Sequence, residues 1–322
     1  MSVVAAVRRV LCCLLLLLPV QAAAQPYESV GMRAQGMGGA FVAMADDASA
    51  VYWNPAGLAT GRFFSFVFDT GRVASDIERQ TGTLIAVGTP PLGIAYYRLT
   101  SVAAIETVDP TTADPRASLG RLRTSHVGVT LLQTIVDGLH VGGTLKYVHG
   151  SAADVEVAGP VGDPLGTAAA LPDAGSRAFD VDLGLMADFG RARAGLAVRN
   201  LLEPGFATPT GPALVLPRQV RAGVAVFASE TLALTADADL TRALDLTGPR
   251  RALAFGAEQH LWQRRVGVRG GVRLSTVGEA RPALTAGASA AIRTGVFADG
   301  YVAVGVGDDT PSGGGFGLRV VF

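Results

Sequence analysis

Phe179-Asp180-Val181-Asp182-Leu183-Gly184-Leu185-Met186-Ala187-Asp188-Phe189 is the stretch whose reading decides the fold. Successive side chains of a strand point to opposite faces, so Phe179, Val181, Leu183, Leu185, Ala187 and Phe189 share one face. Asp180, Asp182, Gly184, Met186 and Asp188 share the other. One face is apolar and the other acidic. The pattern recurs: Leu232, Leu234, Ala236, Ala238 and Leu240 oppose Thr231, Thr235, Asp237, Asp239 and Thr241. Likewise Val266, Val268, Val272 and Leu274 oppose Arg265, Gly267, Arg269, Gly271 and Arg273, and Phe316, Leu318, Val320 and Phe322 oppose Gly317, Arg319 and Val321. Alternation over segments of about ten residues, broken by Gly, Pro and Asp, is the signature of membrane-barrel strands.

Fourteen such segments start near residues 62, 78, 92, 121, 138, 176, 191, 217, 230, 250, 263, 281, 295 and 312. Their connections alternate in length. Tight turns fall at Pro90-Pro91, Val136-Asp137-Gly138, Gly190, Ser229-Glu230, Trp262-Gln263 and Thr294-Gly295. Longer links fall at 70–77, 101–120, 151–175, 203–216, 242–249, 275–280 and 307–311, the longest of them, 151–175, with a composition that suits a mobile loop. Outer-membrane barrels show this asymmetry, with short turns on the periplasmic side. An open sheet edge in hydrocarbon leaves each N–H and C=O unpaired at several kcal/mol per group. The prediction is an all-β, 14-stranded antiparallel transmembrane β-barrel over residues 62–322, with an N-terminal plug containing a short helix. A soluble sandwich, propeller or solenoid would also alternate, but no blade or coil motif repeats and the charged face would then meet bulk water.

Composition agrees. The 322 residues are 49% hydrophobic and only 17% charged, with 41 glycines and a mean hydropathy of +0.36, whereas globular chains carry about 25% charge. Residues 1–24 read as a signal peptide, with Arg8 and Arg9 as the basic start, Val10 to Val20 as the apolar stretch and Ala22-Ala23-Ala24 before the cut. The apolar stretch is short of the roughly 20 residues a membrane helix needs. Cys12 and Cys13 lie inside it, so the mature chain has no disulfide framework. Losing Arg8 and Arg9 leaves 25 basic against 27 acidic residues, which argues against a nucleic-acid partner.

Residues 25–61 precede the first strand, and within them Gly31 to Leu58 reads GMRAQGMGGAFVAMADDASAVYWNPAGL. Arg33, Gly36, Gly38-Gly39-Ala40, Ala45-Asp46-Asp47, Ala50 and Asn54-Pro55-Ala56-Gly57-Leu58 resemble the opening of the FadL/TodX-type outer-membrane transporters of fatty acids and hydrocarbons, and of the related PorV-type proteins. Arg199-Asn200-Leu201, Leu216-Pro217-Arg218, Arg269 to Arg273 and the terminal Phe322 are most similar to the PorV-like branch. The resemblance spans the mature chain and implies a fourteen-stranded barrel with an N-terminal hatch in its lumen. On physical grounds, Asp46 and Asp47 suit a helix N-terminus running to Tyr52, with Pro55 as its stop.

Candidate plug or gating residues are therefore Gly36, Gly38, Gly39, Asp46, Asp47, Asn54 and Pro55. Candidate lumen-lining charges are Asp180, Asp182, Arg193, Arg199, Arg221, Asp237, Asp239, Glu258, Arg265, Arg269 and Arg273, which either pair with one another and the hatch or line a wet lumen. Phe322 is the expected barrel-assembly signal. Trp53 and Trp262 suit plug packing or a membrane interface. Gly36-Met37-Gly38-Gly39 meets no nucleotide-loop spacing, the histidines 126, 140, 149 and 260 lack metal-ligand spacing, and no nucleophile elbow occurs. No enzyme, metal or cofactor is expected. The function readings are a passive outer-membrane conduit for small hydrophobic molecules gated by the hatch, or a PorV-like accessory protein that docks secreted proteins or membrane partners. Expected partners are outer-membrane lipid, the barrel-assembly machinery, and a hydrophobic small molecule or a secreted protein.

Overall fold

The computed structural model describes residues 30–108, 113–172, 174–209, 213–307 and 309–322, so the expected signal peptide lies outside the described residues. Fourteen antiparallel strands close into a barrel. They are β1 (Ser65–Ala74), β2 (Glu78–Thr89), β3 (Leu92–Val108), β4 (Pro115–Val136), β5 (Leu139–Ala158), β6 (Ala174–Asp188) and β7 (Ala192–Arg199). The second half comprises β8 (Gln219–Phe227), β9 (Leu232–Asp239), β10 (Ala252–Leu261), β11 (Val266–Ser275), β12 (Ala283–Arg293), β13 (Val296–Gly305) and β14 (Ser312–Val321). Each strand pairs with its chain neighbours, and β1 meets β14 in register from Ser65↔Val321 to Ala74↔Ser312. The strands thus satisfy one another's backbone groups around the whole circumference, as hydrocarbon requires.

The period-two reading survives residue by residue. Phe179 is 64% exposed while the adjacent Asp180 is 0% exposed. Leu145, Val224, Leu234, Leu284, Val302 and Phe316 all stand exposed on the outer face. Arg221, Asp237, Glu258 and Arg269 are buried within. Soluble proteins rarely expose apolar patches beyond a few hundred Å². An apolar belt running round the barrel suits lipid instead.

Three of the expected links need correction. The links 101–120 and 151–175 are largely strand, because β3, β4 and β5 run to 17, 22 and 20 residues. Between β5 and β6 an ordered helix, Pro164–Ala170, replaces the expected mobile loop. Alternation fails there because both faces of the extended sheet are covered. Outward-pointing Val102, Ala104, Ala117 and Leu119 pack against Leu165, Ala168 and Leu171 of the helical segment. Arg121 ties that segment down by donating to the carbonyls of Ala169 and Leu171, each at 2.5 Å. The link 70–77 shortens in the same way, since β1 continues to Ala74.

The seam ends in an aromatic pair. Phe322 N–H donates to the Phe64 carbonyl at 2.9 Å, Phe64 N–H returns a bond to the Phe322 carbonyl at 3.1 Å, and the two rings stack at 6.4 Å. Removing Phe322 deletes this last rung and its ring contact, together worth about 1–2 kcal/mol. The truncated chain is expected to yield a smaller fraction of heat-modifiable folded barrel on gels of isolated membranes. An undiminished fraction would show that the terminal aromatic has no part in assembly.

Candidate functional site

Residues 30–58 lie almost wholly buried inside the barrel. Their sequence is too glycine-rich for a long helix, and they form short pieces: α1 (Met32–Gly36), α2 (Ala50–Trp53) and a 3-10 helix (Pro55–Thr60). The helix expected from Asp46 starts only at Ala50. Asp47 instead folds its carboxylate back onto the N–H and hydroxyl of Ser49, at 3.0 and 2.5 Å. Pro55 does not end the ordered structure but opens the 3-10 helix, capped by Asn54 Oδ1 accepting from Ala56 N–H at 3.2 Å.

Arg33 is the centre of the hatch. Its guanidinium contacts Asp46 at 2.5 Å, Asp47 at 2.8 Å and Glu258 of β10 at 2.7 Å. Glu258 also accepts from Arg269 of β11 at 2.7 Å, Arg269 reaches Asp299 of β13 at 3.3 Å, and Asp299 accepts from Arg319 of β14 at 3.0 Å. One chain of alternating charge thus runs from the hatch across four neighbouring or near-neighbouring strands. Burial pushes the Asp47 carboxyl up, but Arg33 and Arg319 outweigh it and hold the group below the ordinary aspartate value. Arg33 therefore faces an ionised partner within the hatch itself.

Backbone groups of the hatch are also satisfied by the wall, as buried peptide groups must be. Asp237 of β9 accepts from Phe41 and Val42 N–H, both at 2.8 Å. Asp69 of β1 accepts from Met32 N–H at 3.0 Å, and Thr285 of β12 donates to the Gly36 carbonyl at 3.1 Å. Arg221 of β8 binds Asp239 at 2.6 Å and the Gly39 carbonyl at 3.4 Å, while Asn54 donates to the Val42 and Leu185 carbonyls at 3.0 and 3.1 Å. Close approach demands glycine at two contacts in particular. A Cβ on Gly36 would sit 3.0 Å from Gly287 Cα, and one on Gly142 would sit 2.5 Å from the Pro55 carbonyl carbon. Gly38 and Gly39 turn the chain with φ of +70° and +86°.

On the far side of the hatch, Tyr52 packs edge-on to Tyr97 of β3 at 5.2 Å, and the Arg199 guanidinium lies 3.7 Å over the Tyr52 ring. Lys146 of β5 contacts Asp180 and Asp182 at 2.7 and 2.6 Å. His126 stacks on Tyr97 at 4.2 Å, and neither its ring nitrogens nor the Tyr97 hydroxyl has a hydrogen-bond partner among the described residues. Further along β4 and β5 the lumen turns apolar. Phe206, Leu214 and Leu216 from the β7–β8 link, with Leu246 from the β9–β10 link, pack on Leu122, Val148 and Ala152. Phe206 lies flat on Gly150, where a Cβ would be 2.3 Å from its ring. This apolar cluster lies against the inner face of β4 and β5 on the loop side of the hatch. At the turn end, a cavity of about 610 Å³ opens between hatch and wall, lined by Arg33, Asp46, Arg193, Phe227, His260 and Arg319 among others.

The structure brings together Gly36, Gly38, Gly39, Asp46, Asp47, Asn54 and Pro55 with Asp180, Asp182, Arg199, Arg221, Asp237, Asp239, Glu258 and Arg269 inside the barrel. Arg273 is buried there too, and half-buried Arg193 pairs with Asp188 at 2.8 Å near the turn end. Arg265 is the correction. It stands exposed in the turn Trp262 to Arg265, because β11 begins only at Val266 and the turn takes four residues where the pattern suggested two. Reading the sequence also passed over Asp69, Lys146, Phe206, Asp299 and Arg319 as site residues. The two aspartates carried a usable signal, each being a lone acid inside an apolar strand, Phe66-Val67-Phe68-Asp69 and Val296-Phe297-Ala298-Asp299.

The architecture matches solved structures. CymD, a monoaromatic hydrocarbon channel, superposes with a TM-score of 0.64 at 14% identity, covering 93% of this chain and 99% of that one. The toluene transporter TodX of Pseudomonas putida gives 0.60 at 13% identity over 93% and 98% of the two chains. A FadL homologue of Pseudomonas aeruginosa gives 0.56 at 11% identity over 92% and 98%. The chain has the FadL/TodX-type fold, and at these identities the likeness is one of fold. A family model described as F plasmid transfer operon, TraF, protein matches residues 98–239. No curated protein matches by sequence.

Replacing Arg33 by Met leaves Glu258 and Asp47 facing a buried apolar side chain. Breaking a buried pair in this way costs about 3–5 kcal/mol. The variant is expected to melt earlier and to expose the hatch to protease in proteoliposomes. Unchanged melting and protection would show that this network does not seat the hatch.

Proposed function

We propose that the protein is an outer-membrane conduit for small hydrophobic molecules, with the short-turn end in the periplasm and residues 30–61 acting as the gate. The observation that carries this reading is the apolar lid of Phe206, Leu214, Leu216 and Leu246 lying over inward-facing Leu122, Val148 and Ala152. A wet pore for polar solutes gains nothing from an apolar constriction, which repels water and gates by dewetting. An apolar solute partitions into it. Below the lid, the open hydrogen-bonding groups of Tyr97 and His126 offer a polar foothold before the hatch. The hatch then blocks the way to the cavity at the turn end, so passage requires the Arg33 network to rearrange. The fold shared with the hydrocarbon channels CymD and TodX supports the same solute class.

A second reading has one observation in its favour. The family model of a transfer-operon protein matches β3 through β9, where the long β3, β4 and β5 project beyond their neighbours. On this reading the barrel is a docking component for secreted or membrane partners, in the manner of PorV-like proteins, and moves no solute.

Two measurements separate these readings. In planar bilayers, deleting residues 30–61 is expected to raise ionic conductance, and no rise would remove the luminal plug. In proteoliposomes, Phe206→Ala is expected to change the entry rate of a monoaromatic hydrocarbon by about tenfold while leaving a polar solute of equal size nearly unaffected. Equal effects on both solutes, or entry no faster than through protein-free vesicles, would leave the docking reading in place.

A further inference from the structure

The outer face of β1 to β6 carries a group of arginines, with a histidine among them, that form no ion pair among the described residues. Arg98 on β3, Arg123 on β4, His149 on β5 and Arg177 on β6 are all exposed. Their register places them side by side. Arg98 faces Ser125, Arg123 faces Ser151, Ser125 faces His149, and His149 faces Arg177. Arg72 on β1 extends the group, since it pairs with Thr81, which pairs in turn with Thr100, the partner of Arg123. The intervening outward positions are hydroxyl residues, and none of these arginines pairs with a carboxylate among the described residues. Among the described residues, the one side-chain hydrogen bond of these arginines is Arg98 donating to Ser125 Oγ at 3.2 Å. Two residues further along β4, Arg121 behaves differently and is spent on capping the helical segment.

The height of this band is informative. Immediately on its turn side the same outward faces become apolar and aromatic: Tyr96, Val127, Tyr147 and Phe179, the last two in edge contact at 5.5 Å. Aromatic girdles of barrels mark the membrane interface. From Leu139 at the start of β5 to His149 is about 33 Å along a strand, and about 25 Å along the axis at a tilt of about 40°, the height of an outer-membrane apolar band. The arginines thus sit where hydrocarbon gives way to head groups on the loop side. An arginine at that depth costs little, whereas the membrane middle would penalise it heavily.

We infer that Arg98, Arg123 and Arg177, assisted by Arg72 and His149, form a binding site for the phosphorylated head group of an outer-leaflet glycolipid, whose acyl chains lie against Tyr147 and Phe179. Guanidinium groups match phosphate geometry bidentately, and clusters of them at a head-group boundary recognise anionic lipids. The site goes beyond the proposed transport function and shares only its sidedness.

The test uses the full-length barrel in mild detergent, titrated with bis-phosphorylated lipid A and with its dephosphorylated counterpart, and read by native mass spectrometry. The wild type is expected to retain the phosphorylated lipid and to release the dephosphorylated one, a comparison that needs no variant. Combining Arg98→Gln, Arg123→Gln and Arg177→Gln is expected to weaken retention by roughly a hundredfold. Arg242→Gln, an exposed change on the opposite half of the barrel, is expected to have no effect. Equal retention of both lipids, unchanged retention by the triple variant, or displacement of the lipid by inorganic phosphate at matching concentration would each overturn the site. The assay is independent of solute passage, so a barrel that transports nothing still gives the expected result if the site is real.

Discussion

Inside hydrocarbon a strand has no water to bond with, so the pairing of β1 with β14 is the contact on which everything else rests. Opening it would strand the peptide groups of two strands at several kcal/mol each. Closure in turn dictates the side-chain code. Every strand must present one face to lipid and one to an enclosed interior, and a one-residue slip would exchange Phe179 for Asp180 at the lipid surface.

The enclosed face creates a second constraint. Its charges are too deep to be left alone, and desolvated ions are tolerated only with partners. The barrel wall supplies Glu258, Arg269, Asp299 and Arg319 in alternating sign, and the hatch supplies Arg33 to complete the series. Asp237 and Asp69 bond directly to hatch N–H groups. The interior polarity is therefore matched to a polypeptide as much as to a solution. Apolar wall residues such as Val67, Leu84, Ala86 and Leu99 pack on the hatch as well, and beyond Tyr97, around Leu122, the apolar lining is covered by the chain's own folded links.

Strand number, order and approximate starts were legible because alternation and turn residues are local properties. Lys146 illustrates what was not. Nothing within a few residues of it reveals Asp180 as its cross-strand partner, since that pairing depends on the register of β5 against β6. The extended ends of β3 to β5 were hidden for a related reason: once helix Pro164–Ala170 covers the outer face, Val102 and Ala103 are both buried and the period-two signal vanishes. Arg265 failed at an element boundary, where pattern reading is weakest. The hatch helices were misplaced because Asp47 bonds to Ser49 and Arg33 in place of capping a helix, a choice made by tertiary contacts.

Those tertiary contacts have a bearing on how the molecule is made. The hatch leaves the ribosome before every barrel strand, yet Arg33 waits for Glu258, 225 residues later, and Gly36 for Thr285, 249 residues later. Contacts so remote in sequence make folding slow, because chain ends must be brought together before any bond rewards them. The N-terminal segment therefore spends its transit incompletely bonded, and its maturation is tied to the arrival of the final five strands, β10 to β14.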